Sequence, residues 1–180
     1  FYDARGSQLF DRICCVPEYY PTRTELAILH TNARAIATHI GPHAEIVEFG
    51  AGSMEKVRIL IDVLHSPQRY VPIDISAEHL LESANRMRMA YPALEVEPIV
   101  ADYSQIAVLP PDVAPQGRRV GFFPGSTLGN FEPNEALQFL QMCATALASG
   151  AMLLGVDLVK SPDRLHAAYN DSAGITADFN

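Results

Sequence analysis

Three short stretches carry side chains whose types and spacing suit the binding of a nucleoside. In Glu48-Phe49-Gly50-Ala51-Gly52-Ser53 two glycines follow a short apolar run, so the backbone can turn sharply and approach a ligand with no Cβ in the way. Asp74 ends the next apolar run, at about the offset from Gly50 where an acidic side chain reaches ribose hydroxyls held over the first turn. A carboxylate there accepts two hydrogen bonds from a diol. Asp102, in Val100-Ala101-Asp102-Tyr103, follows the third run; its carboxylate can accept from an adenine amino group while the next backbone N–H serves a ring nitrogen. Taken singly, the glycines read as a ligand-free turn, and either aspartate as a helix cap or a solvated loop carboxylate. Their joint placement after successive strands points to an adenosyl group.

A nicotinamide dinucleotide would normally require a third glycine to seat its pyrophosphate, and that position holds Glu55. A carboxylate repels a pyrophosphate. S-adenosylmethionine carries no phosphate and a positive sulfonium, so the acidic neighbourhood around Glu48 suits a methyl donor better.

Elements able to position these residues are legible in the hydrophobic pattern. A capping box at Thr22-x-x-Glu25 after Pro21 predicts a helix to Ile40, with Leu26, Leu29, Ala33 and Ile36 on one face. Beyond it, five strands are expected at Glu45 to Phe49, Tyr70 to Ile73, Glu95 to Val100, Val120 to Phe123 and Met152 to Val156. They alternate with helices near Met54 to Leu64, Ser76 to Ala90 and Asn134 to Ala148. Ser76 and Ser161-Pro162 are expected to cap two helices, the second running through Tyr169. The fold class is α/β: a mostly parallel, Rossmann-like sheet with helices on both faces, binding its ligand at the carboxyl ends of the strands. The boundary expected is an N-terminal helical substrate-side segment over 1–43 and a nucleoside-binding domain over 44–180, incomplete at its C-terminus.

Composition narrows the partners. The chain has 180 residues, 48% of them hydrophobic and 19% charged, enough for one domain with a real core. A net charge of −8 with no basic patch argues against nucleic acid. Cys14, Cys15 and Cys143 lack the spacing of a disulfide framework or zinc site, and His30, His79 and His166 lie in helical patterns without ligand spacing, so no metal is expected. No apolar run approaches the ~20 residues of a membrane span and no signal peptide opens the chain, so a cytoplasmic location is expected. Phe1 is not a start residue and no helix stop precedes Asn180, so a longer polypeptide is expected.

Four longer motifs add a resemblance. Phe1-Tyr2-Asp3-Ala4-Arg5-Gly6-Ser7, Pro17-Glu18-Tyr19-Tyr20-Pro21-Thr22-Arg23-Thr24-Glu25, Pro124-Gly125-Ser126-Thr127-Leu128-Gly129-Asn130-Phe131 and Gly155-Val156-Asp157-Leu158-Val159-Lys160 together resemble the histidine-specific, S-adenosylmethionine-dependent methyltransferases of ergothioneine biosynthesis. The resemblance covers essentially the whole chain and implies a class I methyltransferase fold. It implies transfer of methyl groups to the α-amine of an amino acid, with L-histidine converted to its Nα-trimethyl betaine, hercynine. It places Gly50, Gly52 and Lys56 along the cofactor, Asp74 on its ribose, and Asp102 with Tyr103 on its adenine. Tyr19, Asn130 and Tyr169 would grip the amino acid's amine and carboxylate, with Tyr2, Tyr19 and Asn130 as the catalytic set; Tyr20 is the alternative to Tyr19. Ala51 and Met54 stand where the family often has hydroxyl residues, and Tyr103 where phenylalanine is common. Without the resemblance, Tyr19 and Tyr20 read as packing residues, Lys56 as solvated, and Asn130 and Asp157 as caps. The partner implied is a small amino acid, with no nucleic acid, no membrane and a monomeric protein. Two other classes fit the same fold: a non-catalytic S-adenosylmethionine-binding module, and a nicotinamide-dinucleotide oxidoreductase.

Overall fold

In a computed structural model the described residues are 4–105, 109 and 117–179. Two helices lead, α1 (Ala4–Cys14) and α2 (Tyr20–Ile40). They are followed by β1 (Glu45–Phe49), α3 (Glu55–Ile61), β2 (Arg69–Asp74), α4 (Ala77–Ala90), β3 (Glu95–Val96) and β4 (Ile99–Val100). A short 3-10 turn, Tyr103–Gln105, precedes β5 (Arg119–Phe123), and a second, Thr127–Asn130, precedes α5 (Pro133–Leu147). The chain continues through β6 (Ala151–Leu154), α6 (Pro162–Tyr169) and α7 (Ile175–Phe179).

Every strand pairing is parallel, in the order β3-β2-β1-β5-β6 with β4 also on β2. Successive strands build outward from β1 to one side and then, from β5, to the other. The order reverses between β1 and β5, the switch point at whose carboxyl ends open α/β sheets bind ligands. Alternate residues face opposite sides, as the two-residue period of a strand dictates. Ile46, Tyr70, Val120 and Phe122 meet Leu29 and Ala33 of α2, Leu60 of α3, and Leu80 and Ala84 of α4. Val47, Phe49, Val71, Ile73 and Phe123 meet Phe139, Cys143 and Leu147 of α5. Each large apolar side chain so buried contributes roughly 1.5–3 kcal/mol.

The expected single strand over Glu95 to Val100 is divided. Pro98 has no N–H to give a sheet ladder, so β3 pairs with Arg69 and Tyr70, β4 with Ile73 and Asp74, and Glu97-Pro98 lies between. The expected capping box at Thr22 is also not formed. The helix begins at Tyr20 with Pro21 in its first turn, Thr22 is buried within it, and the Glu25 carboxylate turns away to distant partners. Ser76 and Ser161 do stand at the N-cap positions of α4 and α6, but neither side chain makes the capping bond. A capping box that the pattern did not mark is formed at α5 by Glu132 and Glu135.

Helix α1, which has no start signal, is held by packing. Ile13, Val16, Tyr19 and Tyr20 form a small core with Ala168 of α6, and Ile175 of α7 packs against it. Residues from both ends of the chain therefore share one cluster beside the sheet. At the amino ends of the strands, Glu45 of β1 is 1% exposed and forms ion pairs with both neighbours, to Arg69 Nη2 at 2.9 Å and Arg119 Nε at 2.8 Å. Arg69 also reaches Glu97 at 2.9 Å. No helix among the described residues is long and apolar enough to cross a membrane.

Candidate active site

The tips of β1, β2 and β4 are laced together. Gly50 N–H and Ala51 N–H both donate to Ile73 O, at 2.9 and 3.1 Å, and Ala101 N–H donates to Asp74 O at 3.0 Å. Gly50 has φ +74° and Gly52 φ +49°, the left-handed region where a Cβ is costly. Met54, buried at the start of α3, adopts φ +61°, an uncommon conformation for a residue with a side chain. The Asp74 carboxylate accepts from Gly52 N–H at 3.2 Å and from Ser76 N–H at 2.9 Å, joining the glycine turn to the start of α4. A carboxylate offers about four lone-pair sites, so Asp74 keeps capacity for a diol.

Asp102 is adjacent, two residues beyond the Asp74–Val100 partnership. Its carboxylate accepts from Ser104 N–H at 2.9 Å, Ser104 O–H at 2.6 Å and Gln105 Nε2 at 2.9 Å. These bonds, chiefly Ser104's, hold its carboxyl below the usual carboxylate range. The side chain is thus largely engaged within its own turn. Tyr103 lies with its Cε1 only 3.3 Å from where a Cβ on Gly50 would stand, and packs edge-on against Phe123 and Phe139. The absence of a side chain at Gly50 therefore admits the Tyr103 ring as well as the turn.

A second group of polar side chains gathers beyond β5 and β6. Tyr19 is 7% exposed and meets Tyr169 edge-to-face at 5.9 Å, while Tyr169 is 55% exposed. Burial pushes the Tyr19 phenol well above its ordinary value of 10, and burial raises Tyr169 too. Tyr20 donates to Asp157 Oδ2 at 2.5 Å, and its ring lies under Lys160 and Arg164, at 5.0 and 4.3 Å from the centroid. Its phenol is pushed up to about 12 by burial and by the bond to Asp157. Asp157 stays below the ordinary carboxylate value because the bonds from Lys160 and Tyr20 outweigh burial. Asp157 N–H donates to Ser126 Oγ at 2.9 Å, tying the end of β6 to the turn that carries Asn130. Asn130 is exposed and closes that turn; it does not cap α5, whose N-cap is Glu132.

Two acidic groups lie between these halves. Glu25 Oε1 and Oε2 accept from Gly125 N–H at 2.8 and 2.9 Å, and Oε2 meets Lys56 Nζ at 2.6 Å. Glu48 is 2% exposed and accepts from the buried Tyr70 hydroxyl. Burial raises the Glu48 carboxyl from 4.5 to about 8, against the lowering effects of Tyr70 and Lys56. Burial thus favours the protonated form of Glu48, against the expectation that it lends negative charge to the ligand side.

The family model described as histidine-specific methyltransferase, SAM-dependent, matches residues 1–180. The chain belongs to that family.

Among its relatives, the histidine N-alpha-methyltransferase of Mycolicibacterium smegmatis is 42% identical over all of this chain and 56% of its own length. Ergothioneine biosynthesis protein 1 of Neurospora crassa is 32% identical over 99% of this chain and 21% of its own length. The chain thus spans a little over half the length of the bacterial relative. A solved 1,6-didemethyltoxoflavin-N1-methyltransferase from Burkholderia thailandensis, 14% identical, superposes over 91% of this chain and 76% of its own with a TM-score of 0.53. That likeness bears on the fold alone, and the fold is the Rossmann-like sheet of S-adenosylmethionine-dependent methyltransferases.

Within this methyltransferase family member, Gly50, Gly52, Asp74, Asp102 and Tyr103 come together at the strand tips, while Lys56 pairs with Glu25 beside the Gly125 turn. Tyr19 and Tyr169 meet each other, while Asn130 lies on the turn joined to Asp157. Tyr2 lies outside the described residues. The sequence pattern did not single out Glu25 as a tie between elements, the Glu48–Tyr70 pair or the Tyr20–Asp157 bond. The glycines at 125 and 155, in motifs far from Glu25, were the available trace of the first.

Proposed function

We propose that the protein containing this chain is an N-methyltransferase that transfers methyl groups from S-adenosylmethionine to the α-amine of L-histidine, forming Nα,Nα,Nα-trimethylhistidine on the route to ergothioneine. The observation that carries the reading is the family match over residues 1–180, joined to strand tips whose polar groups suit an adenosyl sulfonium. Asp74 has unused acceptor capacity for a ribose diol. The left-handed glycine turn leaves the backbone free of side chains for a ligand to approach, and the Glu25 carboxylate stands beside Lys56. The glycine pattern with Glu55 in the third position, and the family itself, disfavour the dinucleotide oxidoreductase.

The donor supplies an activated methyl group on its sulfonium; the protein's task is to align it with the acceptor nitrogen and exclude water. In this reading Gly50, Gly52 and Lys56 line the donor, Asp74 takes the ribose, and Asp102 and Tyr103 take the adenine. Tyr19, Asn130 and Tyr169 hold the substrate's amine and carboxylate, with Tyr2 beside the amine. An α-amine is largely protonated at neutral pH and must shed its proton before attack. Tyr19, kept as a neutral phenol by burial, is no general base. It accepts or donates a hydrogen bond to the neutral amine, whose proton leaves to water. The protein acts as a cytoplasmic monomer on a free amino acid.

Incubating the protein with S-adenosylmethionine and a panel of amino acids, with mass spectrometry of the products, tests this. Trimethylhistidine is the expected product, and Asn130→Ala is expected to lower kcat/KM by about 10- to 100-fold, as for loss of a hydrogen bond worth ~1–3 kcal/mol. Donor binding without any methylated product would instead indicate a non-catalytic module.

A further inference from the structure

Glu25 lies in α2, yet its carboxylate is spent entirely on other elements. Both oxygens receive Gly125 N–H just beyond β5, and Oε2 receives Lys56 of α3 at 2.6 Å. Oε1 also occupies the place of a side chain at the end of β6: a Cβ on Gly155 would stand 2.0 Å from it. Gly125 has φ +83°, so the backbone there is turned in a way glycine permits. Two glycines from separate strand tips are therefore accommodated to one carboxylate. The Glu25 and Lys56 side chains are only 17% and 18% exposed, unlike an ordinary surface ion pair.

A purely structural tie between α2 and the sheet would be served as well by apolar packing, which avoids desolvating two charges. The tie instead sits on the ligand side of the sheet, where α2, α3, β5 and β6 converge. A lysine ammonium on its flexible four-carbon stem has three donors. Bonding one to Glu25 fixes the group and directs the others elsewhere. The same carboxylate anchors the first N–H of the turn that ends at Asn130.

We propose that Glu25 is a positioning residue: it locks Lys56, on the donor side, and the Gly125–Asn130 turn, on the acceptor side, into one alignment for methyl transfer. This rests on the function proposed above. Glu25 acts through its neighbours and does not touch the reacting atoms.

The test measures donor affinity by calorimetry with S-adenosylhomocysteine, and kcat and KM for histidine, in the parent protein, Glu25→Gln, Lys56→Met and the double variant. Glu25→Gln keeps the side chain's size and one acceptor for Gly125 but removes the counter-charge to Lys56. Its kcat is expected to fall by about 10- to 100-fold, the scale of a misalignment near 1 Å, with a thermal midpoint close to the parent's. The double variant is expected to lose no more donor affinity than the worse single variant, because the two residues act as a unit. Donor affinity and kcat within about twofold of the parent in Glu25→Gln, or fully additive losses in the double variant, would overturn the proposal. Should Glu25→Gln fail to fold, Glu25→Asp decides. It keeps the charge but shortens the reach, so a reduced kcat in a folded protein supports positioning and a parental kcat refutes it. A parent that neither binds donor nor methylates histidine removes the proposed function, and this inference with it; a parent that does both while Glu25→Gln matches it removes the inference alone.

Discussion

Replacing Glu48 by glutamine isolates the energetic effect of a buried acid beneath the glycine turn. In the unfolded chain this carboxyl ionises near 4.5; in the fold, burial lets it hold its proton up to about 8. Its contribution to stability is therefore fully present below pH 4.5 and is lost as pH rises through about 8. At ~1.4 kcal/mol per tenfold change in proton affinity the ceiling is about 5 kcal/mol. The lowering effects of Tyr70 and Lys56 are already within that raised value; structural relaxation around the ionised form reduces the expected loss to about 2–3 kcal/mol between pH 5 and 8. Glu48→Gln cannot ionise and retains an oxygen for the Tyr70 hydroxyl. Urea unfolding at pH 5, 6, 7 and 8 reads the difference. With a slope of about 2 kcal/mol per molar urea, the parent's midpoint is expected to fall by roughly 1 M more than the variant's. Every other ionisable group is common to both proteins and cancels in the comparison. Parallel curves across the window would show that Glu48 is not the group responsible and that its burial does not hold the proton.

Asp74→Asn places an amide where the carboxylate accepts from both Gly52 and Ser76 N–H, so one donor loses its acceptor. A stability loss of about 1–2 kcal/mol and a weakening of S-adenosylhomocysteine binding by about 10- to 100-fold are expected by calorimetry. Gly150→Ala puts a Cβ 2.0 Å from Arg119 O and 2.7 Å from Leu147 O, both backbone atoms that cannot step aside. A loss of at least about 3 kcal/mol in chemical denaturation, or failure to accumulate folded protein, is expected.

The central strands were legible because β1, β2 and β5 are apolar runs buried on both faces, and the run over Glu45 to Phe49 is a strand over the same residues. Features set by distant partners were not. Thr22-x-x-Glu25 carries a local capping signal, but the real partner of Glu25 is 100 residues away at Gly125, and a charge-assisted bond there outcompetes the local one. Helix α1 has weak local signals and depends on contacts with α7, residues that no window around Ala4–Cys14 contains. Pro98 was visible, and its missing N–H explains the divided strand. At the site, the sequence identified Glu48 as a carboxylate. Its proton affinity depends on how far water is excluded, which follows from packing on both faces of β1 and is invisible to the pattern. Asn130 shows the reverse case: its local reading as a cap fails because Glu132 and Glu135 perform that role, leaving its side chain for another use.

The ion cluster at Glu45 has a consequence for the opposite rim of the sheet. One carboxylate on the central strand grips the first residue of each flanking strand, so sliding either strand by a single residue, about 3.3 Å, would strand a desolvated guanidinium away from its counter-charge. Gly50, Asp74 and Pro124 are therefore levelled from a datum roughly 17 Å distant, five residue steps along the strand. Side chains at the far rim can change without disturbing how the three tips line up. Damage at the datum, by contrast, would be felt at the ligand as a change of spacing.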